Sequence, residues 1–228
     1  TEDIVANAVI NGHGPVNRFK WPEIEGLKDF NGPLIHTANW PADLDIRGKR
    51  VAIIGTGASS AQLVGAIAPD AAAITVFQRS KHWVIHNPEI AHVVSEGMKW
   101  ALAHIPTFKE WFRFRVYWSA ADGLYENVVM DPAYAGRDDA VSAHNAAARE
   151  WALGYLRQKF AHRPDLVEKL TPDFPLFSKR IILDNGWLDA LLQDNVHLED
   201  KGIARILPNG IETVDGRFFE VDVIVCAT

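Results

Sequence analysis

The stretch from residue 51 to residue 80, VAIIGTGASSAQLVGAIAPDAAAITVFQRS, constrains the fold more than any other part of the chain. Val51 to Ile54 form the short apolar run of a strand buried on both faces, Gly55-Thr56-Gly57 follows at once, and Ala58 to Ala68 read as a helix. Ile74 to Phe77 read as a second strand. Strand, glycine turn, helix and strand in this order describe a dinucleotide-binding unit and predict an α/β fold. Gly55 suits the tight turn, and Gly57 lets backbone amides approach a pyrophosphate at the positive end of the helix that starts near Ala58. Ser60 takes the third glycine position, where a small side chain still permits close packing of helix on strand. The competing reading is an ordinary βαβ unit with a glycine turn and no ligand.

The end of the second strand distinguishes the nucleotide. A site for NAD places an acid about 20 residues past the first glycine to accept the ribose hydroxyls, whereas a site for NADP replaces it with a cation for the 2′-phosphate. Here the strand ends in Gln78-Arg79-Ser80, with a guanidinium and a hydroxyl and no carboxylate. Arg79 can hold a phosphate through its planar fork of donors. The expectation is therefore a Rossmann-like NADP-binding domain, the alternative for Arg79 being a solvated charge at a strand end.

Composition narrows the field by exclusion. A formal charge of −6 offers no basic surface to nucleic acid, and the lone Cys226 excludes an intrachain disulfide. No uninterrupted apolar run reaches the roughly 18 residues of a membrane span and no signal-peptide pattern opens the chain, so a cytoplasmic protein is expected. Among nine His, His82 and His86 stand four apart without an acid partner, so no metal site is expected.

Along the chain, residues 1–45 read as a linker, with an apolar strand near Ile4 to Ile10 and a loop from Asn11 to Pro15. Residues 46–87 hold the first part of the nucleotide domain. From Pro88 the strand signal vanishes, and 88–175 reads as a helical insertion, with Trp151, Ala152, Tyr155, Leu156 and Phe160 at helical spacing. Residues 176–228 return to the nucleotide domain through a short helix near Trp187 to Leu192 and strands near 196–198, 204–207 and 211–214. Asp215-Gly216 is expected to turn the chain into a hairpin strand from Phe218 to Ala227. The aromatic group Trp100, Phe108, Trp111, Phe112, Phe114, Tyr117 and Trp118 is expected to pack into a core or against a neighbouring subunit. A lipid surface or a path for substrate are the other readings.

The segment before the glycine turn carries a resemblance. Phe30-Asn31-Gly32-Pro33-Leu34-Ile35-His36-Thr37-Ala38-Asn39-Trp40-Pro41 resembles the F-x-G-x-x-x-H-x-x-x-W-P fingerprint of Baeyer-Villiger monooxygenases, with Phe30, Gly32, His36, Trp40 and Pro41 in register. GTGASSAQ and VFQRS resemble that family's nucleotide turn and second strand, which adds Thr56, Ala58, Ser59, Gln62 and Ser80 to the candidate cofactor contacts. Pro172-Asp173-Phe174-Pro175 followed by Lys179-Arg180 resembles its P-x-[YF]-P-x-x-x-K-R segment, and Asp222 to Thr228 the start of its D-x-x-x-x-A-T-G strand. The wording is most similar to the 4-hydroxyacetophenone monooxygenase type.

The resemblance implies two cofactors, NADPH and FAD, and a reaction in which one oxygen atom of O2 is inserted beside a ketone carbonyl to give an ester or lactone, an aryl ketone being the family-type substrate. It implies that Lys179 joins Arg79 at the 2′-phosphate, and that Arg180 is the catalytic cation stabilising negative charge at the flavin. Without the motif, Lys179-Arg180 would read as a surface pair. His36 is implied to couple nucleotide binding to domain motion, a structural hydrogen-bonded His being the alternative. No second glycine pair here opens a helix to hold the FAD diphosphate, so the chain is expected to be an internal piece of a larger flavoprotein. The rival functions are oxygenation of nitrogen or sulfur and a non-catalytic NADP-binding fragment.

Overall fold

The computed structural model describes residues 3, 5–12, 14, 18–86, 93–135 and 139–227. Ile4, His13, Pro15, Pro88 and Thr228, which figure in the expectations above, lie outside them. In chain order the elements are β1 (Leu34–His36), β2 (Arg50–Ile54), α1 (Ala58–Ile67), β3 (Ala73–Phe77), β4 (Val84–His86), α2 (Glu96–His104), α3 (Phe108–Ala120), α4 (Asp122–Tyr125), α5 (Ala143–Lys159), α6 (Pro164–Leu170), β5 (Ile182–Asp184), α7 (Trp187–Ala190), β6 (Val196–Glu199), β7 (Ile203–Leu207), β8 (Gly210–Thr213), β9 (Phe218–Glu220) and β10 (Val223–Cys226).

Five strands form one parallel sheet in the order β1-β10-β2-β3-β6. Alternation along β2 sends Val51 and Ile53 to one face and Ala52 and Ile54 to the other, and all four are buried. The first pair packs with Ala61, Val64 and Ile67 of α1, Leu156 of α5 and Leu188 of α7. The second packs with Phe77, Ile206, Ile211, Ile224 and the fingerprint residue Phe30. Helices thus cover one face and the antiparallel β7-β8-β9 sheet helps cover the other, which is why these strands read as continuous apolar runs. The result is a mixed α/β structure built on a parallel sheet.

The helical region enters and leaves through a second parallel pair. β4 pairs with β5, Val84 opposite Ile182, and α2 to α6 lie between them in sequence. Ser142 accepts the amide of Asn145 at 3.1 Å to start α5, and Pro164 opens α6 where no intrahelical donor is needed. No helix of the described residues is long and apolar enough to cross a membrane.

Two expectations are corrected and a third, the packing of the aromatic group into a core or against a neighbouring subunit, loses its first alternative. No strand forms among the described residues of 4–10: Val5, Val9 and Ile10 are exposed, and no neighbouring strand accepts their backbone. The strand expected from Phe218 to Ala227 is two strands. β9 pairs with β8 around the Asp215-Gly216 turn, and after Asp222 the chain enters the parallel sheet as β10. The aromatic group does not enter the core of this chain, because α2, α3 and α4 contain no buried residue. Trp111, Phe114 and Trp118 form a stripe in which each ring meets the next at 5.7 and 5.6 Å between centroids, yet they remain 62%, 48% and 52% exposed.

Candidate functional site

The glycine turn sits at the carboxyl edge of the sheet, where the chain passes from β2 to β3 on one side while β10 and β1 lie on the other. Such a reversal of strand order is where open α/β sheets form a ligand crevice. Gly55 has φ of 115°, a conformation that suits glycine, and its amide donates to the carbonyl of Phe77 at 3.1 Å. Thr56 is buried and its hydroxyl donates to the Ser80 carbonyl at 3.0 Å, tying the turn to the end of β3. Gly57 is the N-cap of α1, and no side chain caps the helix. The amides of Ala58 and Ser59 have no backbone partner among the described residues, and a Cβ placed on Gly57 would meet nothing within 4 Å. An uncapped helix end in open space is a cradle for an anion. Ala58, Ser59 and Gln62 are exposed beside it; Ser60 is buried, its hydroxyl without a partner among the described residues.

Arg79 projects into solvent from the end of β3 with no ion-pair partner among the described residues. Its neighbours are fastened down. Gln78 donates to the Lys169 carbonyl at 2.8 Å, and the Lys81 ammonium donates to the Glu168 carbonyl at 2.8 Å, so both grip the C-terminal turn of α6. A cation is favoured there because helix C-terminal carbonyls carry partial negative charge. Sequence reading missed this latch: its two bonds span 91 and 87 residues, and no local pattern announces them.

Lys179 and Arg180 leave the half-buried loop after Pro172 and are both exposed. The β4-β5 pairing aligns the two cation-bearing segments, because Arg79 lies shortly before Val84 and Lys179 shortly before its partner Ile182. Electrostatics agree: the half-buried His82 has its pKa lowered, first by burial and then by the charge of Lys179. The Lys179 ammonium rests 4.1 Å from the centroid of the Phe174 ring, and Arg180 has no protein partner among the described residues. Asn145, buried in α5, donates to the carbonyls of Leu176 at 2.9 Å and Asn127 at 2.7 Å. Asn145 too was invisible in the sequence.

The fingerprint divides in two. Phe30 is core, and a Cβ on Gly32 would lie 2.6 Å from the Asp222 carbonyl, so only glycine permits that approach. His36 ends β1 opposite Cys226; its Nδ1 accepts the Ala38 amide at 3.1 Å and its ring stacks on Phe19 at 4.4 Å. In the neutral ring the proton then sits on Nε2, which is buried with no partner among the described residues. Trp40 and Pro41 are exposed. Asp222 fastens β10 to β2 by accepting the Arg50 amide at 2.8 Å and the guanidinium at 2.7 and 3.1 Å. Those bonds hold its carboxyl down at about 2.

The described residues thus form a parallel α/β sheet with a glycine-capped helix whose first amides are open, and they expose cations at Arg79, Lys179 and Arg180. The chain belongs to the Flavin-binding monooxygenase-like family, whose model matches residues 3–129. It is 38% identical over 227 residues to a Sinorhizobium fredii protein named uncharacterized monooxygenase y4iD, covering 100% of this chain and 34% of that one. It is 32% identical to a Baeyer-Villiger monooxygenase of Pseudomonas aeruginosa, covering 98% and 40%. The crystal structure of OTEMO in complex with FAD and NADP superposes with a TM-score of 0.74 at 29% identity, covering 94% of this chain and 46% of that one. The chain thus spans 34% and 40% of the lengths of those two curated relatives.

Proposed function

We propose that this chain carries the NADPH site of a flavin-dependent Baeyer-Villiger monooxygenase of the 4-hydroxyacetophenone monooxygenase type. In this reading, 46–87 and 176–228 form a Rossmann-like NADP-binding domain with the helical insertion 88–175 between them. The observation that carries the proposal is the uncapped N-terminus of α1 at the strand-order reversal, with open space over Gly57. NADPH fits it: the free amides of Ala58 and Ser59 face where a pyrophosphate would lie, and Arg79 offers an unpaired guanidinium to the 2′-phosphate. Ser80 and Lys179 complete the phosphate contacts, Gln62 lies on the exposed face of α1, and Ser60 keeps α1 close to the sheet.

When bound, the nicotinamide supplies hydride and the flavin activates O2. The residues described here contribute one dinucleotide turn and no second one for FAD, since Gly186 opens only the four-residue α7. No residue is therefore assigned to the flavin diphosphate. Arg180 is the proposed catalytic cation: a guanidinium stays protonated at any working pH and would stabilise negative charge at the flavin. His36 holds the segment entering the sheet. The substrates are O2 and a ketone, an aryl ketone on the family-type reading.

Gly57→Ala is the direct test, because φ of −74° and the open space let alanine fit while its methyl group occupies the cradle. The variant should melt like the parent and bind NADPH at least about tenfold more weakly, a loss of ~1.4 kcal/mol. Unchanged affinity would remove the site. With NADPH, FAD and O2, the larger flavoprotein proposed to contain this chain should convert an aryl ketone to an ester; oxidation of an amine or thioether in its place would select the nitrogen- and sulfur-oxygenating reading.

A further inference from the structure

Trp83 is one of the most deeply buried large side chains of the chain and has no part in the site as proposed above. Its indole Nε1 donates to the Phe174 carbonyl at 2.9 Å, and its own carbonyl accepts the Ile182 amide at 2.8 Å. One residue therefore fastens both ends of the segment 174–182, and Lys179 and Arg180 lie between the two fastenings. The ring of Phe174 in turn carries the Lys179 ammonium at 4.1 Å. Behind the indole, the Arg149 guanidinium lies 5.5 Å from its centroid, while Ala152, Leu153 and Leu176 pack around it.

We infer that Trp83 is a positioning residue for Lys179, acting through Phe174, and that it thereby sets the preference for a 2′-phosphorylated dinucleotide. A lysine ammonium on a four-carbon stem is a mobile point charge that must surrender rotamer freedom to meet a phosphate. Fixing its loop and resting the ammonium on an aromatic face beforehand removes part of that entropy cost from the binding step. The buried indole N–H also gains the partner it needs, and this joins core packing to the placement of a surface charge. The inference rests on the proposal that Lys179 meets the 2′-phosphate.

The test is calorimetric titration of NADPH and NADH into the parent protein, Trp83→Phe, Lys179→Ala and the double variant, with thermal melting as the check on folding. Trp83→Phe keeps an aromatic ring and the backbone acceptor but deletes the N–H donor. It should weaken NADPH about tenfold and leave NADH within about twofold, and on the Lys179→Ala background it should add nothing further for NADPH. Phe174→Leu, which keeps the carbonyl and removes the ring under the ammonium, should give a smaller loss of about threefold, again for NADPH alone. Equal losses for the two nucleotides, or fully additive effects of Trp83→Phe and Lys179→Ala, would reduce Trp83 to packing and overturn the inference. Unchanged NADPH affinity in Lys179→Ala would overturn the reading of Lys179 and the inference with it. That outcome is distinguishable from the others because it appears in the single variant.

Discussion

Arg79 and Lys179 are exposed cations on two segments that the β4-β5 pairing aligns, but the chain holds them in different ways. Arg79 follows a strand whose position is set by backbone pairing on both sides, β2 at one edge and β6 at the other. Lys179 stands in a loop with no ladder of its own. It is fixed instead by Trp83 on Phe174, Asn145 on Leu176, and Ser178 on the Pro175 carbonyl at 2.7 Å. A strand end inherits its position from the sheet, whereas a loop must be given one by side chains from elsewhere. The first kind of site tolerates change in its surroundings; the second depends on a few distant residues.

The largest effect is expected where the loop's support is removed. Asn145→Ala should leave the buried carbonyl of Leu176 and the half-buried carbonyl of Asn127 without this donor and cost about 2–4 kcal/mol in urea unfolding. A loss below about 0.5 kcal/mol would mean that the loop is held by packing alone. Next, Arg79→Ala should weaken NADPH by roughly 10- to 100-fold, the worth of charge-assisted hydrogen bonds to a phosphate, without altering stability or NADH affinity. A matching drop in stability would show that the strand end needs Arg79 for its own structure and would erase the contrast with the loop.

The smallest effect concerns the mounting of the sheet. Asp222 has its carboxyl lowered to about 2 by its hydrogen bonds to the Arg50 side chain and amide, against an ordinary value of 3.8. A carboxylate with a depressed folded pKa contributes stability in full above the ordinary value and loses it as pH falls from about 4 towards 2. Asp222→Asn should therefore be less stable than the parent at neutral pH, with the difference shrinking through that acid window. Parallel acid-unfolding curves would contradict this.

The same contrast explains how much of the molecule could be read in advance. The unit from β2 through α1 to β3 was legible because its signals are local: an apolar run, two glycines, a helix and a cation within thirty residues. α5 was legible from its spacing. The bonds of Gln78, Lys81, Trp83 and Asn145 join residues far apart in sequence and leave no mark in any window of it. Apolar residues near Ile10 looked like a strand because composition reports propensity, while a strand also needs a neighbour. For α3 periodicity gave the helix correctly but could not give its burial, since an aromatic stripe looks the same whether it meets a core or solvent. Asp222 carried a second meaning of that kind, a motif residue that also ends the hairpin by binding Arg50.

The central claim is that this carboxyl edge selects a dinucleotide with a 2′-phosphate, and the most direct measurement is the pair of dissociation constants of the unaltered protein for NADPH and NADH at one salt concentration. NADPH should bind more tightly by about tenfold or more, with the gap narrowing as salt screens Arg79 and Lys179. Equal affinities, or binding of neither nucleotide, would contradict it.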